Sequence, residues 1–223
     1  NQELKSRISE LGLRSKEFFK VDIGPVVLDG WMIKPIQFDP QKKYPVIFHV
    51  YGEPAGSTVQ DNWGTGDNMW HQYLANELGC IVISVDNRGT KVPRGRDFRK
   101  CIYRQIGLLA ADDQAAAAKK IMQTYSFIDS AHVGMWGWSG GGQMTLHGLF
   151  RHGDVFKTGI AVSFVALQTL YDNVYQERYM GLPEDNKYGY KEGSPLTHAG
   201  KLQGKLMIIH GTGDDNVHYQ NFE

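Results

Sequence analysis

A serine set among glycines carries the clearest chemical signal in the chain. Gly137-Trp138-Ser139-Gly140-Gly141 fits G-x-S-x-G, with an apolar strand (His132 to Trp136) before it and a helix pattern (Gln143 to Phe150) after it. Such a turn lifts a hydroxyl above a sheet, and glycines two before and two after it let strand and helix backbones pass closely. The Gly140 amide, at the mouth of the helix, can then donate to a developing oxyanion. The plainer alternative is a glycine-rich β-α turn with an ordinary serine, which the flanking elements disfavour. A nucleotide loop fits less well, because no G-x-G-x-x-G follows a strand and no Gly-Lys-Ser/Thr occurs.

The second signal is Leu206 to His218, where an apolar run ends in Gly211-Thr212-Gly213-Asp214. A carboxylate there stands at the C-terminal edge of the sheet, where sites of open α/β folds lie. In the order Ser…Asp…His it takes the place of the triad acid, which fixes a histidine tautomer and stabilises the imidazolium. Asp214 is closer to the strand than Asp215 and is preferred. A metal site from His210, Asp214 and His218 is the rival, unsupported by any known ligand spacing. No metal and no cofactor are expected.

The elements needed to position these groups are legible around them. Short β-branched runs at Pro45 to Val50, Ile81 to Val85, Gly159 to Val162 and Leu206 to His210 read as strands of a parallel sheet. Asn68 to Leu78 reads as a helix stopped by Gly79, and Asp112 to Met122 as one whose leading acids suit the helix dipole. Val26 to Ile33 reads as a hairpin turning at Asp29-Gly30, and Lys5 to Phe19 as an amphipathic helix or linker. The 223 residues favour one domain, with 24 basic and 24 acidic groups cancelling to zero. That balance argues against nucleic acid as a partner, and makes the basic stretch Arg94 to Lys100 a solvated loop. The longest apolar stretch, Gly159 to Leu167, is broken by Ser163 and too short to span a bilayer. Cys80 and Cys101 allow one disulfide at most. The polar, Met-less start lacks a signal peptide and reads as cut from something longer.

Three segments together resemble the catalytic domain of dipeptide-releasing members of the prolyl oligopeptidase family of serine peptidases. They are Gly137-Trp138-Ser139, Tyr171 to Pro183 (YDNVYQERYMGLP) and His210 to His218 (HGTGDDNVH); the middle one is the most specific. The likeness runs from about Glu17 to the end, so residues 17–223 read as an α/β-hydrolase catalytic domain, C-terminally incomplete, and 1–16 as a linker or helix from an upstream region. The resemblance implies a mostly parallel sheet with helices on both faces, after an N-terminal β-propeller, and release of dipeptides with proline or alanine in the penultimate position. It implies Ser139 as nucleophile, Asp214 as acid, and Tyr51 completing the oxyanion hole with Gly140. Tyr171, Tyr175, Val165 and Val217 match walls of the proline pocket, and Asn216 matches a side chain holding the substrate carbonyl. A peptide substrate, a homodimer and a periplasmic or extracellular location also follow from the resemblance.

Three departures from the family pattern accompany these matches. Gly140 stands where the family has a tyrosine, and Gln168 where it has a pocket tryptophan, so a larger or wetter P1 site is expected. The family's triad histidine lies beyond the acid, and none of the eight histidines here takes its place by motif. His49, His210 and His218 read as structural groups, and His71, His132, His147, His152 and His198 as surface groups. The open pocket would also permit a broader acyl-peptide hydrolase or esterase. A non-catalytic interaction module is the alternative of another class, disfavoured because Ser139, Asp214 and Tyr51 are all present.

Overall fold

The Ile-Val-Ile-Ser-Val-Asp stretch Ile81–Asp86 is buried at every position, as a strand must be when helices cover both faces of its sheet. In the computed structural model, which describes residues 1–62 and 66–223, it is the fourth of seven strands. These are β1 (Glu17–Asp22), β2 (Val27–Ile33), β3 (Tyr44–His49), β4 (Ile81–Asp86), β5 (Ile128–Trp138), β6 (Thr158–Val162) and β7 (Lys205–Ile209). Their order is β1-β2-β4-β3-β5-β6-β7; β1, β2 and β4 pair antiparallel, and β4 to β7 run parallel. The helices are α1 (Gln2–Glu10), α2 (Gly66–Asn76), α3 (Gly95–Lys100), α4 (Leu108–Thr124), α5 (Gly140–Arg151), α6 (Asn173–Met180) and α7 (Lys187–Glu192).

Alternation along β4 assigns the two faces. Ile81, Ile83 and Val85 join the larger core with Ala115, Ala118 and Ile121 of α4 and Met144 and Leu149 of α5. Val82 faces the other way, packing with Trp31, Ile33 and the α2 residues Leu74 and Ala75. The mostly parallel sheet with helices on both faces therefore stands. Among the described residues, no helix is long and apolar enough to cross a membrane.

Several sequence expectations are corrected. Asp29-Gly30 is no turn: β2 continues through it, paired with β1 on one side and β4 on the other. Gly30 is there for space, since a Cβ would lie 2.6 Å from the Phe19 ring and 2.9 Å from the Ser84 carbonyl. The hairpin turn falls earlier, closed by the Ile23 amide on the Val26 carbonyl. Helix α1 stops at Glu10 and buries no side chain, and Glu17 to Phe19 belong to β1. Arg14, between them, exchanges backbone hydrogen bonds with the Gln72 amide of α2. The basic stretch is helix α3 rather than a loop, with the Arg94 guanidinium over the Phe98 ring. Both cysteines are free.

Helix α4 starts at Leu108, so Asp112 and Asp113 lie beyond the reach of its N-terminal dipole. Asp112 pairs with Arg151 and His152 instead. Asp113, 2% exposed, accepts from the Arg88 amide and from Nε and Nη2 of its guanidinium. The pair fastens the loop after β4 to α4. Asp113→Ala leaves the Arg88 donors unmatched and is expected to cost about 3 kcal/mol of stability, read from urea denaturation. A loss below about 0.5 kcal/mol would mean the pair is not a fastening.

Candidate active site

The parallel order β3-β5-β6-β7 sets four loops side by side at the C-terminal edge of the sheet. Tyr51 follows β3, Ser139 follows β5, Ser163 follows β6, and Asp214 lies in the loop after β7. Neighbouring strands stand about 4.8 Å apart, so Ser139 and Asp214 leave strands about 10 Å apart on the same edge.

Ser139 has φ 58° and ψ −121°, a conformation most residues avoid. It is held there by its amide on the Val162 carbonyl and by its carbonyl, which accepts from the Gln143 amide. The turn is possible because Gly141 has no side chain: a Cβ there would lie 2.1 Å from the Val50 carbonyl oxygen and 3.3 Å from Tyr51 Cα. A Cβ on Gly137 would lie 2.5 Å from the same oxygen. The elbow is thus pressed onto the end of β3, which brings Tyr51 beside it. Helix α5 begins directly after Ser139 with no side-chain cap, leaving its first amides as donors at a positive helix end.

Asp214 Oδ1 accepts from the Asn216 and Val217 amides at 3.1 and 2.9 Å. Burial alone would raise its pKa; those two amides, the Ser163 hydroxyl and nearby His210 outweigh it and hold the carboxyl below its ordinary range. It stays an anion at neutral pH. Ser163, at φ 44°, was noted in the sequence only as a break in an apolar run; it braces this loop, and its amide donates to the Ile209 carbonyl.

The expected pocket residues fall into two groups. Tyr171, Tyr175 and Tyr179 form one aromatic cluster, Tyr175 lying edge-on to Tyr171 at 5.5 Å and to Tyr179 at 4.9 Å, and Tyr51 stands near enough to feel the charge of Tyr171 and Tyr179. The Tyr171 hydroxyl donates to Asn216 Oδ1 at 3.0 Å, joining the cluster to the acid loop. Val165 and Val217 are buried, at 4% and 1% exposure. Burial first, then the nearby Glu53 carboxyl, push the Tyr51 phenol up to about 12. It remains a donor across the neutral range.

Two expectations about the pocket do not hold. Gln168 is fully buried, its side-chain amide donating to the Gly193 carbonyl and its backbone amide to Ser194 Oγ, so it does not wet the cleft. Gly140 opens no space either, because the side chain of Glu53 occupies it. Glu53 was visible only as an acid in the Tyr51 to Gly56 loop, and nothing in its spacing marked it as part of the site.

The histidines are engaged elsewhere, and His71, His147 and His198 are buried by packing against the fold rather than surface groups as expected. His210, its side chain fully buried, has Nε2 2.7 Å from the Val217 carbonyl and 3.5 Å from Asp214 Oδ2. The stronger contact takes its donor and ties the acid loop to its strand. His218 Nδ1 accepts from the Gln220 amide. His49 and His71 pack with Trp31 and Trp136 below the elbow, burial lowering their pKa values to about 4 and about 2. His147 is buried against the Gly193 carbonyl and His198 against that of Glu192, while His132 and His152 pair with Asp129 and Asp112. Among the described residues, no three His, Cys, Asp or Glu groups converge as a metal site.

Comparison with known proteins agrees with this fold. The chain matches the Prolyl oligopeptidase family over residues 66–223. Human prolyl endopeptidase FAP is 37% identical over 224 residues, spanning 99% of this chain and 29% of that protein. Dipeptidyl peptidase 4 of Trichophyton equinum is 38% identical with the same coverage. The crystal structure of Porphyromonas gingivalis dipeptidyl peptidase 4 superposes with a TM-score of 0.92 at 44% identity, covering 98% of this chain and 30% of that one. The chain thus spans under a third of the length of these relatives. With the α/β-hydrolase sheet, the strained serine and the acid loop in place, the chain belongs to the prolyl oligopeptidase family.

Proposed function

We propose that this chain is the catalytic portion of a serine peptidase that releases N-terminal dipeptides ending in proline or alanine. The observation that carries the reading is Ser139 on a strained turn, sharing one sheet edge with the anionic Asp214. Two of the relatives bear the name dipeptidyl peptidase 4, which supports dipeptide release over other acyl transfers.

In this reading Ser139 Oγ attacks the carbonyl of the second residue while a histidine base takes its proton. The tetrahedral oxyanion receives hydrogen bonds from the Gly140 amide and the Tyr51 hydroxyl. The C–N bond then breaks, the base returns its proton to the leaving amine, and water hydrolyses the acyl-enzyme. Asp214 orients the base. Because each of the eight histidines is held elsewhere, the base is assigned to a part of the protein outside these 223 residues. A β-propeller elsewhere in the same chain is proposed to hold the substrate's amino terminus. Tyr171 and Tyr175 wall the penultimate side chain, Val165 and Val217 back that wall, and Asn216 holds a substrate carbonyl.

In the full-length protein a fluorophosphonate probe is expected to label Ser139, and Ser139→Ala to abolish both labelling and peptide turnover. Labelling that survives the substitution would assign the nucleophile elsewhere. Tyr51→Phe is expected to lower kcat by roughly 10²–10³ with little change in KM, since its donor acts on the oxyanion rather than on the ground state. Activity within about twofold of the parent would remove Tyr51 from the oxyanion hole.

A further inference from the structure

The side chain of Glu53 lies directly over the nucleophile turn. A Cβ on Gly140 would sit 2.7 Å from its Cδ, 2.8 Å from its Cγ and 3.0 Å from its Oε2. The same Oε2 accepts a hydrogen bond from the Tyr175 hydroxyl at 2.5 Å. Tyr175 belongs to α6, Gly140 to the first turn of α5, and Glu53 to the loop after β3. One carboxyl therefore connects three elements that meet at the cleft. It is 5% exposed, and its Oε1 is buried with no hydrogen-bond partner among the described residues.

Such a group is costly to bury, and a shape requirement is a physical reason to keep it. The titratable groups facing it are phenols: Tyr51 on its own loop, Tyr171 before α6, and Tyr175 on α6, with Gly140 of α5 contributing none. No ammonium or guanidinium stands among these neighbours to pair with a carboxylate. Burial pushes Glu53 up to about 7, with the Tyr175 hydrogen bond opposing the rise.

We propose that Glu53 is a positioning residue of the substrate pocket, filling the space over Gly140 and fixing the Tyr175 ring, so that residues 53 and 140 form the pocket wall as a pair. This rests on the peptidase reading above. The wall is then a carboxyl held against glycine backbone, and selectivity for the penultimate side chain depends on that carboxyl through Tyr175. The chemistry of the elbow is left to Ser139 and its amides.

The test compares Glu53→Gln, Glu53→Ala and Gly140→Ala, singly and with Glu53→Ala/Gly140→Ala, in the full-length protein on Ala-Pro and Ala-Ala p-nitroanilides. Gln keeps an acceptor for Tyr175, so at pH 6 it is expected to stay within about threefold of the parent in kcat and KM. Ala frees the ring, and KM for Ala-Pro is expected to rise about tenfold or more while kcat moves less than about threefold. Gly140→Ala collides with Glu53, and its loss of kcat/KM is expected to be smaller when Glu53 is also Ala. KM for Glu53→Ala within twofold of the parent, or equal behaviour of the Ala and Gln variants, would overturn the proposal.

Thermal melting supplies a readout independent of turnover. A carboxyl whose folded pKa is raised binds its proton more tightly in the native state, so its contribution to stability is lost as pH rises from the ordinary carboxylate range through about 7. The melting temperature of Glu53→Gln minus that of the parent should therefore grow between pH 5 and pH 8. A flat difference would overturn the buried-carboxyl assignment even if Glu53→Ala fails to fold. A parent protein that neither turns over these substrates nor takes fluorophosphonate at Ser139 would overturn the peptidase reading itself. Labelling at Ser139 with unmoved Glu53 variants would overturn the positioning role alone.

Discussion

The contact on which the site depends is backbone against backbone: the glycines of the elbow pressed onto the carbonyl of Val50 at the end of β3. No side chain mediates it, so no change of rotamer can loosen it. Because β3 and β5 are paired neighbours, this contact sets the Tyr51 loop and the Ser139 turn at one height above the sheet. Helix α5 must then leave in the direction that buries nearly its whole length against β5 and β6. The strained serine is stabilised by a core far larger than the strain, which costs on the order of 1–3 kcal/mol.

The same sheet edge carries Asp214, two strands along from Ser139. β6 separates their strands and contributes Ser163, whose amide is anchored on β7 and whose hydroxyl reaches the acid. His210 adds a second tie by turning its donor onto the Val217 carbonyl. The loop is therefore preorganised around Asp214 by its own chain.

Much of this architecture is legible in the sequence because it rests on local pattern. The runs of β3, β4, β6 and β7, the glycine spacing around Ser139 and the Gly-Thr-Gly-Asp turn each declare themselves within ten residues. What the sequence hid depends on contacts across the fold. Gly30 reads as a turn residue until the Phe19 ring is seen lying over it. Strand β1 is masked by its exposed alternate positions and by the helical pattern that runs into it. Asp112 and Asp113 look like a helix start, yet the helix extends one turn earlier and both acids serve distant arginines. Gly140 reads as an empty space because its filler, Glu53, is 87 residues away in the chain. Gln168 reads as a polar intruder in a pocket, although its amide has a buried carbonyl to bond.

The positive φ of Ser139 carries a chemical consequence. A β-branched residue is a severe outlier in that region, because its second γ substituent meets the backbone. Threonine, which bears the same hydroxyl, is thereby disfavoured at position 139, while the unbranched thiol of cysteine is not. The backbone discriminates among side chains at this position on branching alone, before acidity or hydrogen bonding enters.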